Sequence, residues 1–281
     1  MTKRLSPAKV NLHLKVLRKR EDGYHDIATL LQKISLYDEI LFSPRTEGIV
    51  VRCPGSSLPE NEDNLVYRAA QALFARASFS GGIEITVKKR IPVAAGLGGG
   101  SSNAGTVLTT LNEILGFNYP AADLMSIGVK LGADVPFFIS GNAAWAFGIG
   151  DRLRPAENIP FLWFVLVNPR LEIPTKMVYE KLNLRLTKEE IHYRIPRFCT
   201  TADLGGGLHN DLETVTLALH PVLQRMKDLL VEFGALGALM SGSGPTVFGA
   251  FTGERAAQAA AEGLKEVGAG NWSIFLAHSL T

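Results

Sequence analysis

A chain of 281 residues, 46% hydrophobic and 20% charged, is ordinary soluble-globular material, long enough for two domains or one large core. Its 29 basic and 27 acidic residues leave a net charge of +2, which gives no reason to expect a nucleic-acid or membrane partner. Two distant cysteines, Cys53 and Cys199, form no CxxC or Cys/His cluster, so a structural zinc site and a disulfide scaffold are not expected and a reducing, cytoplasmic setting is.

The N-terminus alternates polar and apolar residues and lacks the continuous apolar core of a secretory signal. From Lys9 the alternation is strict, with Val10, Leu12, Leu14 and Val16 apolar. This predicts a half-buried strand with Lys9, Asn11 and His13 on one face. The loop REDGYHD follows. IATLLQKI (27–34) fits either a helix or a strand, and DEILFSP and EGIVVRCPG read as strands. Residues 61–77 carry helical spacing with Asp63 or Asn64 as the cap, and GIEITVKKRIP is a strand. After a glycine-rich loop, Ala104, Val107, Leu108, Leu111, Ile114 and Leu115 mark an amphipathic helix stopped at Gly116. A helix ends at Gly132, and residues 141–155 form a hairpin turning near Gly148–Asp151. RPAENIP (154–160) reads as the joint between two halves.

Beyond it the expected order is strand 161–167, helix 175–182, an irregular stretch, helix 216–233, strands 235–241 and 245–251, helix 254–267 and strand 272–278. That order suits an antiparallel sheet with helices on one face. The apolar run FLWFVLV is far too short to span a membrane. The glycines at 205–207 mark 184–210 as a stretch whose order the sequence leaves open.

The chemistry concentrates in IPVAAGLGGGSSNAG (91–105). A strand enters and a helix leaves, the geometry in which free N–H groups at a helix start hold an anion. Glycines let backbone wrap phosphates without Cβ atoms in the way, and Ser101 and Ser102 offer caps or hydroxyls. The pattern is neither a Walker A loop, since no lysine follows Gly100, nor the dinucleotide fingerprint. Asp134 admits two readings, a helix cap before Pro136 or a fixed carboxylate able to take a proton from an alcohol. Lys9 is a surface lysine unless it meets such a carboxylate. Tyr24 and His25 suit either a packed turn or recognition of a planar ring. Gly242–Pro245 suit either a hairpin turn or a turn facing a cleft.

In order and spacing, SPAKVNLHL, PVAAGLGGGSSNAG, LGADVPFF and GSGPTVF resemble the GHMP kinase superfamily over nearly the whole chain. The resemblance implies an α+β, two-domain fold. Residues 1–156 would form an ATP-binding half similar to the second domain of ribosomal protein S5, and 157–281 a ferredoxin-like half, with substrates in the cleft between them. Pro-Ala-Lys, DGYH, the extended glycine loop and GADVPFF narrow it to members acting on a small molecule that carries a cytidine diphosphate. The implied reaction moves the γ-phosphoryl of ATP, with Mg²⁺, to the 2-hydroxyl of a methylerythritol unit, a step of non-mevalonate isoprenoid precursor synthesis.

On this resemblance Asp134 is the general base and Lys9 pairs with it and the alcohol. Pro92, Val93, Ala94, Ala95, Gly96, Leu97, Gly98, Gly99, Gly100, Ser101 and Ser102 wrap the phosphates, and Asn64 lies near the adenine. Asn11 contacts substrate near the reacting hydroxyl. Tyr24 and Tyr179 sandwich the cytosine, His25 reads its edge, and Thr175 adds a polar contact. Two departures stand out. Ala94 stands where many family loops carry glycine, which would stiffen the loop entrance, and Asn103 stands where aspartate is frequent, with little effect expected because it points into the helix start. The glutamate that helps hold Mg²⁺ in other members has no identifiable counterpart here, so the metal ligands are unassigned. The alternatives are another small-molecule kinase of the superfamily, acting on homoserine or mevalonate, and a nucleotide-binding relative without catalysis.

Overall fold

The structure, a computed structural model, describes residues 1–182 and 193–281. The backbone groups into two units, neither contiguous in sequence. The first holds Met1–Ala8, Leu36–Val93 and Gly98–Gly141; the second holds Lys9–Ser35, Ala94–Leu97 and Asn142–Thr281. Two long strands, β1 (Thr2–Lys19) and β2 (His25–Arg45), contribute residues to both. The ambiguous 27–34 segment is strand. Residues 27–32 pair antiparallel with β5 (Ala143–Gly148), and with most of the segment buried on both faces, its apolar run mimics a helical stripe.

In the first unit, β3 (Gly48–Arg52) runs parallel to β4 (Gly82–Lys88), which pairs antiparallel with the end of β2. Helices α1 (Leu65–Ala77), α2 (Gly99–Ile114), α3 (Ala121–Leu131) and α4 (Val135–Ile139) complete the unit. Leu73, Phe74, Val107, Leu108 and Leu111 on the helices share one core with Phe42, Ile83 and Ile85 on the strands. Asn64 caps α1, its side chain accepting from the Val66 N–H at 2.9 Å. Helix α2 starts earlier than its apolar spacing predicts. Gly98, at φ 68°, is the cap, and the Ser102 N–H donates to its carbonyl at 2.8 Å. Gly99, Gly100, Ser101 and Ser102 are thus its first turn, and neither serine is the cap.

In the second unit, β5 forms the expected hairpin with β6 (Arg152–Pro155), and β8 (His209–Asn210) runs parallel to β1. A separate sheet contains β7 (Trp163–Asn168), β9 (Gly237–Met240), β10 (Val247–Phe251) and β11 (Ser273–His278), in the order β11-β7-β10-β9, antiparallel throughout. This is the expected ferredoxin-like arrangement. Helices α8 (Val222–Glu232) and α9 (Glu254–Gly268) lay Leu223, Met226, Leu230, Ala257, Ala261 and Leu264 in one core with Val165 and Val167.

Among the described residues of the second unit, three short helices precede α8: α5 (Thr175–Lys181), α6 (Ala202–Gly207) and α7 (Glu213–Leu219). The single helix expected over 216–233 is two, because Pro221 has no N–H to continue the ladder of α7 and instead caps α8. Of the 184–210 stretch, residues 184–192 lie outside the described residues, and Gly205–Gly207 close α6.

Candidate active site

The second unit gathers Lys9, Asn11 and part of the glycine loop. Lys9 and Asn11 sit two apart on β1, so both project from one face. The buried Lys9 Nζ donates to Asn11 Oδ1 at 2.6 Å and to the Gly96 carbonyl at 2.8 Å. The Lys9 N–H donates to the Leu97 carbonyl at 3.0 Å. Asn11 is oriented in turn, its Nδ2 donating to Thr29 Oγ1 at 2.8 Å. Ser241, immediately before the Gly242–Pro245 turn, donates through Oγ to the same Gly96 carbonyl at 2.9 Å and accepts from the Asn11 N–H at 3.3 Å. Asn210 holds that turn open, with Nδ2 donating to the carbonyls of Met240 and Gly242, each at 2.8 Å. Ser241, Thr29 and Asn210 were not among the residues singled out from sequence. Only Ser241 has a signal beside it there, the Gly242–Pro245 turn that it precedes.

The four glycines serve different ends. Gly96 and Gly98 have positive φ, 75° and 68°. A Cβ on Gly96 would stand 2.0 Å from the Ser241 carbonyl oxygen, so what approaches Gly96 is this chain's own backbone. A Cβ on Gly99 would meet Ile91 Cγ2 at 3.0 Å, whereas one on Gly100 would meet nothing within 4 Å. Gly100 is exposed. Ser101 is half-buried. Ser102 is buried and shares a hydrogen bond with Ser6 Oγ at 2.7 Å. Ala94 adopts φ 52°, a left-handed conformation that costs an alanine about 1–2 kcal/mol. Pro92 and Val93 enter the loop from the first unit, while Ala95 and Leu97 are buried in the second.

Aromatic side chains meet near the start of β2. The rings of His25 and Tyr179 are 5.1 Å apart and tilted by 33°. His25 is buried, and its Nε2 has no hydrogen-bond partner among the described residues, an arrangement that costs free energy unless something else fills it. Burial, and then the charge of Lys19, push the His25 imidazole below its ordinary pKa. Tyr24 is 61% exposed. Thr175 and Tyr179 lie one turn apart on α5, and Thr175 Oγ1 hydrogen-bonds Ser243 Oγ at 2.8 Å.

In the first unit, half-buried Asp134 occupies the cap position of α4, yet its carboxylate makes no capping hydrogen bond to that helix. Asn64 Nδ2 donates to the Pro59 carbonyl at 2.6 Å, so its side chain is already engaged in the cap of α1. Lys9 belongs to the second unit and Asp134 to the first.

Known proteins resemble this chain along its whole length. Residues 64–142 match the GHMP kinases N terminal domain, and 201–270 match the GHMP kinases C terminal. The chain is 58% identical over 280 residues, 100% of both chains, to the 4-diphosphocytidyl-2-C-methyl-D-erythritol kinase of Syntrophus aciditrophicus. It is 47% identical to that of Geobacter metallireducens, over 98% of this chain and 97% of the relative. A crystal structure of 4-(cytidine 5'-diphospho)-2C-methyl-D-erythritol kinase superposes with a TM-score of 0.84 at 36% identity, covering 100% of each chain. Homoserine kinase from Cytophaga hutchinsonii, at 21% identity and a TM-score of 0.76 over 99% and 94% of the two chains, shares the fold.

Proposed function

The chain belongs to the GHMP kinase family, and on that premise we propose that it transfers the γ-phosphoryl group of ATP to the 2-hydroxyl of 4-diphosphocytidyl-2-C-methyl-D-erythritol, serving isoprenoid precursor synthesis. The observation that carries the choice of acceptor is the His25–Tyr179 pair with its buried Nε2, which has no partner among the described residues. A cytosine edge supplies the missing hydrogen-bond partner, and exposed Tyr24 supplies a second stacking face beside Tyr179. Neither homoserine nor mevalonate has a planar ring to use them. Asn11 and Thr175 contact the acceptor.

Phosphoryl transfer is chiefly positioning and charge neutralisation. Pro92–Ser102 cradle the phosphates of ATP, with Gly100 as the glycine open to them. The adenine lies near Asn64. Asp134 takes the proton of the 2-hydroxyl as its oxygen bonds to the γ-phosphorus, and the bond to the bridging oxygen breaks with its electrons leaving on ADP. Support for that role is that Asp134 stands at a helix start without capping it. Lys9 stabilises the forming alkoxide, held in place by Asn11 and the Gly96 carbonyl. Mg²⁺ would accompany ATP, with the half-buried Ser101 as the loop serine whose hydroxyl could hold it. Its contribution is to neutralise phosphate charge.

The proposed domains are 1–156 and 157–281; the two family segments fall one in each. A cytoplasmic location is part of the same reading; no described helix is long and apolar enough to cross a membrane.

The test is coupled ADP release with ATP, Mg²⁺ and 4-diphosphocytidyl-2-C-methyl-D-erythritol, run beside mevalonate and homoserine. Turnover with the cytidylated acceptor alone is expected. Turnover with another acceptor keeps the kinase and removes Tyr24, His25 and Tyr179 as cytosine readers. ATP binding without turnover on any acceptor returns the chain to the non-catalytic alternative.

A further inference from the structure

Beneath the first turn of α2 lies a polar cluster that the proposed chemistry does not use. Asp38, on β2, has a fully buried carboxylate that accepts four hydrogen bonds. Oδ1 takes the N–H groups of Arg90 at 2.7 Å and Ile91 at 2.9 Å. Oδ2 takes Asn103 Nδ2 at 2.9 Å and forms an ion pair with Lys89, whose side chain is 9% exposed. Asn103 Nδ2 also donates to buried Ser6 Oγ at 3.0 Å, and Ser6 reaches Ser102.

One carboxylate therefore holds both ends of the glycine loop. Arg90 and Ile91 are the entry, one residue before Pro92. Asn103 is the exit, one residue past Ser102. The two ends also touch directly, since a Cβ on Gly99 would stand 3.0 Å from Ile91 Cγ2 and 3.1 Å from Lys89 Nζ.

A buried ion pair is a poor device for stability, because desolvating both charges offsets most of their attraction. What this one provides is geometry. We propose that Asp38, acting through Lys89, Asn103 and the Arg90 and Ile91 amides, is a positioning residue that fixes the glycine loop in its nucleotide-binding conformation before ATP arrives. The inference rests on the reading of Pro92–Ser102 as the phosphate cradle. A loop already in its bound shape loses less entropy on binding, so the effect falls on ATP affinity and not on the acceptor. The sequence hides this role: Asp38 precedes Lys89 by 51 residues, and nothing local distinguishes it from a strand-edge aspartate.

Two variants test it, with a non-hydrolysable ATP analogue and Mg²⁺ titrated by calorimetry and steady-state KM measured for both substrates. Asn103→Ala keeps the ion pair and the Arg90 and Ile91 bonds but cuts the tie to α2. It is expected to fold, to weaken the analogue about 5–10-fold and to raise KM for ATP equally, with kcat and acceptor KM within about twofold. Asp38→Asn leaves Lys89 buried without its counter-charge and is expected to lower the melting temperature and weaken the analogue further. If Asp38→Asn does not fold, Asn103→Ala decides alone. An Asn103→Ala enzyme that binds the analogue within twofold of wild type, whatever its melting temperature, overturns the inference and leaves the kinase reading standing. A wild-type chain that binds no ATP analogue overturns both.

Discussion

The carbonyl oxygen of Ser241 lies 2.0 Å from where a Cβ on Gly96 would stand, although the two residues are 145 positions apart. The Gly96 carbonyl in turn accepts from Lys9 Nζ and Ser241 Oγ, so displacing Gly96 displaces the partner of a proposed catalytic lysine. Gly96→Ala combines a left-handed backbone penalty with backbone overlap and is expected to cost about 3 kcal/mol or more and to lower kcat. Gly100→Ala meets nothing within 4 Å among the described residues and gains helix propensity, so it should stabilise by up to about 1 kcal/mol while raising KM for ATP. Urea unfolding with parallel ATP kinetics reads both signs. A Gly100→Ala enzyme with unchanged KM for ATP removes Gly100 from the cradle.

Ala94 carries strain that glycine does not. At φ 52° an alanine loses about 1–2 kcal/mol, against about 0.5–1 kcal/mol of extra chain entropy that a glycine gives up on folding. Ala94→Gly is therefore expected to raise stability by about 0.5 kcal/mol, seen as a small increase in urea midpoint. A fall in midpoint means that the loop relies on alanine's restriction of the unfolded chain.

Much of the fold is written locally. Strict alternation from Lys9 placed Lys9 and Asn11 on one face, and their 2.6 Å contact is the direct result. Asp63 and Asn64 both read as caps, and Asn64 is the one whose short amide reaches the second N–H of the helix. What was illegible depended on partners distant in sequence. The 27–34 segment became strand because β5 lies beside it, and Pro221 broke a helix whose apolar spacing ran straight through it. The start of α2 was set by the left-handed Gly98, which no periodicity reports. In the site, residue types showed which groups could do the chemistry. The residues that hold them act across tens to hundreds of positions: Asn210 and Asp38 leave no local trace, and Ser241 shows only as the neighbour of a turn.

His25→Phe separates function from stability. The substitution removes a buried nitrogen with no partner among the described residues, so folding stability should be unchanged or slightly higher. If Nε2 reads the cytosine, KM for the cytidylated acceptor rises about 10-fold or more while KM for ATP stays put. An unchanged acceptor KM removes His25 from recognition.

Two histidines set an acid limit. Burial lowers the pKa of both His25 and His13. Lys19 adds to the effect at His25. At His13, His209 and Lys15 add to it, while the Gly207 carbonyl and Asp211 oppose it. With folded pKa values below the unfolded value of about 6.5, the unfolded chain binds protons first as pH falls. Their contribution is fully present above about pH 6.5 and is lost as pH drops through the lower folded values. Urea midpoints measured from about pH 5 to 8 should fall on the acid side, and His13→Phe should flatten part of that slope. A slope unchanged in His13→Phe assigns the acid loss to other groups.

Asp134→Ala bears most directly on the chemistry. As the proton acceptor it acts at the alcohol, not at the nucleotide, and general-base catalysis contributes about 10²–10⁴-fold. The variant should therefore lose kcat by that factor while holding a non-hydrolysable ATP analogue nearly as tightly as wild type. Urea unfolding of the variant beside wild type separates lost chemistry from lost fold. Should the variant keep more than about a tenth of wild-type kcat, Asp134 is not the base, and proton removal passes to solvent or to the phosphate itself.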